Sequence, residues 1–341
     1  MQSAPSIVVP ATLRVALIGS GQGVADWLPA LTGPEAATAG LVLAALCDLG
    51  PASTAAPLHS FAVPDMLCAG DLTALVSASP DIIIDATSPL ARLAITRAAM
   101  RAGAHVLCHP PLAMDAETAL ALVGAAARAP GLFAMGYQWR HRAGLRQLRN
   151  VVASGAMGNP LAMQVDLGEG DALVSQSLLR GPAGEACDAA RFILGCDALA
   201  VRGGGIAKGL CFDMGTGVTF QLSAGTGAES WSLKLEGGTF VCQGSGPARA
   251  ESGGHVLPDP ALTPEGLFGA LSNLVKAIRD KGKPAVGPRS AAASHAMGLA
   301  AQRCLGHGGR EETVMPLGLM GDASLSPAAR PRRVALKGSA E

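Results

Sequence analysis

From residue 14 the chain alternates short apolar runs of strand length with longer Ala/Leu-rich stretches whose apolar positions recur at a helical period. Gly, Pro, Asp and Ser punctuate the changes, as in a succession of βαβ units forming a parallel sheet. The pattern predicts strands over 14–18, 41–47, 81–86, 105–108 and 132–137, with a shorter unit near 60–63. Helices are expected through 27–31, over 70–77, over 91–102 with Gly103 as a left-handed terminator, and from an Asp115 cap through 127. After 108 the strand must stop, because Pro110 and Pro111 supply no ladder donors.

Past Tyr137 the pattern changes. A helix is expected over 144–154, then a glycine-rich turn opening a strand over 161–167. From 200 to 242 short strands separated by Gly-rich turns suggest an antiparallel sheet, with Gly203, Gly204 and Gly205 read as a flexible turn. Helices over 267–279 and 290–305 flank a short extended piece at 284–286. The last twenty residues, with Arg330, Arg332 and Arg333, read as a solvated tail. The expected division is an extension over 1–12, a first domain over 13–137, a second over 138–320 and a tail over 321–341.

Composition narrows the function classes. The 341 residues favour two domains, and 49% hydrophobic content supplies two cores. Formal net charge is zero, which argues against nucleic acid and anionic membrane surfaces as partners. No apolar run reaches the ~18 residues that would span a bilayer, and the first twelve residues lack the charged and apolar regions of a secretory signal. The eight cysteines form neither a C-x-x-C pair nor a regular framework, as expected of a cytoplasmic protein with buried thiols. No His/Cys/Asp cluster has metal-ligand spacing, so no metal is expected.

The first candidate chemistry lies after the first strand. Gly19, Gly21, Gln22 and Gly23 stand between strand and helix, where small residues let a pyrophosphate approach free backbone N–H groups. The third position of the glycine fingerprint falls on Val24, with Gly23 and Ala25 as small neighbours. Asp48 ends the second strand, where a carboxylate can accept hydrogen bonds from an adenosine ribose and repel a 2′-phosphate; this favours NAD over NADP. The expected fold class is α/β, with a Rossmann doubly wound parallel sheet.

Residues 81–113 (DIIIDATSPLARLAITRAAMRAGAHVLCHPPLA) resemble the Gfo/Idh/MocA family of dinucleotide-dependent oxidoreductases. So do residues 135–140 (MGYQWR) with their continuation to 160, and the closing segments 266–279 and 282–286. The resemblance implies a nicotinamide-binding Rossmann domain followed by an α+β domain with a large, mostly antiparallel sheet. It implies sugar, cyclitol or polyol chemistry, and a homodimer or homotetramer formed through the outer face of that sheet. By the same resemblance Thr87, Ser88 and Pro89 line the cofactor, while His109 and Pro110 lie beside the nicotinamide.

Two departures bear on chemistry. The family's Glu-Lys-Pro is replaced by His109, Pro110 and Pro111, so the lysine that handles the hydroxyl proton is absent. In the second family motif Asp188 keeps the final acid, Glu185 stands where a histidine is expected, and Gly181 replaces the earlier acid. His109 is the candidate proton-handling group, since an imidazole exchanges protons near neutrality. Tyr137, Glu185 and Asp188 are the other candidate catalytic residues, and Arg140 and His141 the candidate substrate-binding ones. Three readings stay open: hydride transfer to or from a sugar- or polyol-like substrate, hydride transfer to an imine-like substrate needing little acid help, and a non-catalytic dinucleotide-binding sensor or assembly subunit.

Overall fold

The computed structural model describes residues 12–19, 21–48, 67–68, 71–168, 178–179, 181–204, 209–252, 257, 263–315 and 317. The expected unit near 60–63 and the tail over 321–341 lie outside them, as does the side chain of Asp48.

The first sheet contains β1 (Leu13–Gly19), β2 (Leu41–Asp48), β3 (Leu67–Cys68), β4 (Ile82–Ala86), β5 (His105–Cys108) and β6 (Phe133–Met135). Its order is β3-β2-β1-β4-β5-β6 and every pair is parallel, which is the doubly wound Rossmann order. Between these strands run α1 (Gln22–Thr32), α2 (Pro34–Thr38), α3 (Leu72–Ser77), α4 (Pro89–Arg101) and α5 (Ala116–Arg128). Helices on both faces explain why β4 is buried at every position. Asp71 and Asp115 cap α3 and α5 by accepting from Ala74 N and Thr118 N. Gly103, at φ 85°, follows the last turn of α4.

Four expectations need correction. Gly203 and Gly204, expected in a flexible turn, end the strand Ala198–Gly204 and pair with Leu210 and Gly209. The strand expected over 132–137 is only Phe133–Met135, because Gly136 N turns to donate to Cys108 O and Tyr137 opens a 3-10 turn over Gln138–His141. Residues 284–286 are coil and turn, although Val286 O accepts from Met135 N. Helix α4 begins at Pro89, two residues before the expected start, because proline at the first position needs no N–H partner.

The chain then forms α6 (Ala143–Ser154), β7 (Pro160–Asp166), α7 (Pro182–Leu194) and β8 (Ala198–Gly204), followed by β9 (Gly209–Met214), β10 (Thr219–Ser223) and β11 (Ser230–Leu235). It continues through β12 (Gly238–Gln243), β13 (Arg249–Ser252), α8 (Gly266–Arg279), α9 (Pro288–Gly306) and β14 (Glu312–Thr313). These strands make an eight-stranded sheet, β13-β12-β11-β7-β10-β9-β8-β14, in which β7–β10 is the parallel pair and the others are antiparallel. Alternation sets its two faces. Met163, Val165, Phe220, Leu222 and Leu233 are buried in one core, while Gln164 and Gln221 bond to each other on the open face beside a hollow of about 690 Å³. Among the described residues no helix is long and apolar enough to cross a membrane.

Late in sequence, α8 returns to the first sheet. Leu271, Leu274, Val275 and Ile278 join Leu17, Ile84, Trp27, Leu28 and Leu31 in one apolar cluster, and Arg279 Nη2 donates to Ala39 O at 2.7 Å. The two sheets are therefore joined by packing as well as by chain.

Candidate dinucleotide and substrate site

The strand order reverses direction of winding between β1 and β4, and ligands of such sheets bind in the crevice at the carboxyl ends there. Gly19 and Gly23 bring this crevice close to the backbone. A Cβ at Gly19 would meet Val24 Cγ2 at 2.9 Å, and one at Gly23 would meet Ala86 O at 2.6 Å. Gly23, and not the Val24 position, is thus the glycine that lets α1 lie tightly on β4. Val24 fills the space behind it and is 2% exposed. Gly21 takes φ 51°, a conformation suited to glycine, and a Cβ there would meet none of the described residues within 4 Å. Gln22 is exposed and donates to Asp26 Oδ1 at 2.6 Å.

The turn after β4 is fixed from beneath. Asp85 is fully buried and accepts from Thr87 N at 3.0 Å, Thr87 Oγ1 at 2.6 Å and Thr96 Oγ1 at 2.8 Å. Ser88, exposed, starts α4 without a capping bond, and Pro89 follows it. One strand over, His109 N donates to Asp85 O, and the Pro110–Pro111 peptide is cis. The His109 ring packs edge-on to Trp27 with centroids 6.4 Å apart. Its Nδ1 is buried, without a hydrogen-bond partner among the described residues. Burial pushes its pKa below the ordinary histidine value, Arg92 pushes the same way, and Asp26 and Asp85 oppose both. His109 is accordingly neutral at pH 7.

The remaining candidates gather at a second centre, between the 3-10 turn and α7. Asp188, fully buried, receives both Nε and Nη2 of Arg140, the latter at 2.7 Å, and Ser294 Oγ at 2.6 Å. Arg140 also reaches Ser290 Oγ at 3.2 Å and lies over the Phe192 ring. Glu185 accepts from Trp139 N at 3.2 Å and Gln138 N at 3.4 Å. Tyr137 is buried, and burial together with Asp188 and Glu185 holds its phenol well above the ordinary value. His141 packs under Gly269 of α8, where a Cβ would approach its own Cβ to 2.6 Å. Burial, with Arg146 and Arg140, drives its pKa down to about 4. Among the described residues no hydrogen bond joins this centre to His109.

Burial raises the Glu185 carboxyl to about 8, against the two backbone N–H groups that favour its anion. The folded protein therefore holds this proton more tightly than the unfolded chain. Stability linked to Glu185 is greatest below the ordinary carboxylate range, falls as pH rises toward about 8, and is flat beyond it. Glu185→Gln should remove that slope. Urea unfolding of both proteins at about pH 5 and about pH 8 measures it, and parallel behaviour would count against a protonated Glu185.

Sequence reasoning missed Arg92, Asp85 and Trp27. Asp85 had a signal, since a carboxylate inside an otherwise apolar buried strand must have partners. Nothing in the spacing of Arg92 or Trp27 reveals that they point inward under the two turns.

A doubly wound sheet with a glycine turn at its switch point, followed by a large mixed sheet, defines a two-domain protein of the dinucleotide-fold class. The model of the Gfo/Idh/MocA oxidoreductase family, NAD-binding Rossmann fold, matches residues 13–137. Over 70 residues the chain is 43% identical to 1,5-anhydro-D-fructose reductase of Ensifer adhaerens, covering 20% of this chain and 21% of that protein. Over 151 residues it is 29% identical to inositol 2-dehydrogenase 3 of Saccharopolyspora erythraea, covering 44% and 43%. The matches thus span less than half the length of either relative. The crystal structure of aldose-aldose oxidoreductase from Caulobacter crescentus, complexed with glycerol, has the same fold, with a TM-score of 0.73, 21% identity and coverage of 89% and 99%.

Proposed function

We propose that the protein is an NAD-dependent oxidoreductase that moves a hydride between nicotinamide and a sugar-, polyol- or imine-like substrate. The observation that carries this reading is His109. It directly follows β5 at the carboxyl edge, is neutral at pH 7, and has a buried ring nitrogen with no partner among the described residues. Both relatives and the structural neighbour bear the names of enzymes acting on polyhydroxylated compounds, which supports the substrate class.

The residues fit a dinucleotide. Gly19, Gly21, Gln22 and Gly23 would hold the pyrophosphate against the start of α1, and Asp48 the adenosine ribose. Thr87, Ser88, Pro89 and Pro110 would border the nicotinamide half. When bound, the nicotinamide supplies or accepts the hydride. His109 takes the hydroxyl proton on oxidation or returns it on reduction, the task for which Pro110 has no group. We place Arg140 and Asp188 in the frame of the substrate side, because their polar atoms are already spent on each other and on Ser290 and Ser294. Tyr137, His141 and Glu185 form the wall beside them. The open face of the second sheet is where we place contact between copies in a homodimer or homotetramer, which light scattering tests.

Fluorescence titration with NADH and NADPH tests the cofactor. NADH is expected to bind more tightly, and Gly23→Ala to weaken it, because the new methyl must move the Ala86 carbonyl. Absence of binding to either dinucleotide would sink the reading. Binding of NADH with no turnover across a panel of sugars, polyols and imines would favour a sensor or assembly subunit, a reading that the loss of the lysine at Pro110 supports.

A further inference from the structure

Arg92 is the single fully buried cation of the first domain among the described residues, at 1% exposure. It sits in the first turn of α4, and its guanidinium reaches into the space under the two turns that border the crevice. Nη2 donates to Thr87 O at 2.6 Å and Nη1 donates to Pro111 O. Thr87 follows β4 and Pro111 follows β5, and these strands are parallel neighbours. Among the described residues no carboxylate forms an ion pair with Arg92, since Asp85 is already held by Thr87 and Thr96.

Burying a guanidinium without a paired carboxylate is unfavourable, and an apolar side chain of similar volume would fill the space with no such penalty. What an apolar side chain cannot do is join two carbonyls. Lysine cannot match it either, because only the planar fork presents donors in a fixed geometry toward two separate acceptors.

We propose that Arg92 is a positioning residue whose buried fork ties the Thr87 turn to the Pro110–Pro111 turn and so sets the separation of His109 from the cofactor loop. The role rests on the dinucleotide reading above for its consequence, but the clamp itself does not. The charged groups facing His109 are Arg92 from α4, Asp85 from β4 and Asp26 from α1. Arg92 is the only one of the three that favours neutral His109, so it adds a second effect to the mechanical one: it helps to keep the imidazole able to accept a proton.

Two variants separate these effects. Arg92→Lys keeps the charge and loses the fork, so NADH binding should weaken by about tenfold, the worth of one hydrogen bond to a charged group, while the His109 titration followed by NMR stays low. Arg92→Met loses both, so the His109 pKa should also move up toward the ordinary histidine value. NADH affinity in a folded Arg92→Lys within about twofold of the unaltered protein, or an unmoved His109 titration in Arg92→Met, would overturn the proposal. If the unaltered protein fails to bind NADH, the dinucleotide reading falls, yet the NMR titration still decides whether Arg92 acts on His109. A third measurement needs no variant. The Nη protons of Arg92 should be resolved and protected from exchange in the unaltered protein, and exchange as fast as that of surface arginines would overturn the clamp.

Discussion

Replacement of Asp188 by alanine is expected to destabilise the protein by about 3–5 kcal/mol, the range for removing one partner of a buried ion pair. Arg140 would remain inside with its Nε unanswered and its Nη2 left with Ser290 Oγ, and Ser294 Oγ would lose its acceptor. The Phe192 ring under the guanidinium offers only weak compensation. Asp188→Asn should fall between, because one oxygen still accepts. A useful contrast is Asp280, whose pair with Lys276 lies at the surface; Asp280→Ala should change stability by less than about 1 kcal/mol. Urea unfolding measures all three. A loss below about 1 kcal/mol for Asp188→Ala would show that the pair is not part of the frame. Replacing both partners, Arg140→Met with Asp188→Leu, should recover part of the loss, since two apolar groups leave no uncompensated charge.

Exchange of His109 for alanine or glutamine should lower turnover by about 10²–10⁴-fold, the usual contribution of a positioned acid or base, and leave NADH affinity nearly unchanged. The split between binding and turnover follows from the proposed site, in which the glycine turn and the Thr87 turn would meet the dinucleotide and His109 would exchange the hydroxyl proton. The pH profile carries a sign as well. Because burial and Arg92 depress the His109 pKa, the neutral form persists to lower pH than an ordinary histidine allows, and activity should decline only below that point. Stopped assays across pH with a turned-over polyol or sugar would check it. Retained full activity in His109→Gln would remove His109 from the mechanism and return attention to Tyr137 and Glu185.

Much of the first domain was legible because each unit advertises itself twice. The apolar run over 82–86 and the helix after it can be read from period alone, and Gly103, Asp115 and the two prolines after His109 mark the ends by conformations or bonds local to the chain. Gly23 is a sharper case. Pattern matching put the packing position on Val24, while the 2.6 Å approach of a Gly23 Cβ to Ala86 O shows which residue has no room for a side chain. That distance depends on how α1 lies across β4, which no spacing encodes. The second sheet was legible only as a kind of structure. Short alternating strands announced an antiparallel sheet, but the parallel pairing of β7 with β10 joins residues 57 positions apart and had no local signal.

The sequence by itself determined the alternation of strand and helix, the doubly wound first domain, the glycine turn and the proline at position 110, since all of these are set by period, φ preference or residue type. Tertiary structure alone decided that Arg140 and Glu185 bond around the start of α7, with no hydrogen bond among the described residues to His109. It also decided that Asp188 is consumed by Arg140, and that α8 returns from the far end of the chain to cover the first sheet. The reason is the same in each case. Burial and pairing depend on which distant surfaces meet, and those meetings fix whether a carboxylate is an anion, a proton donor or one half of a buried pair.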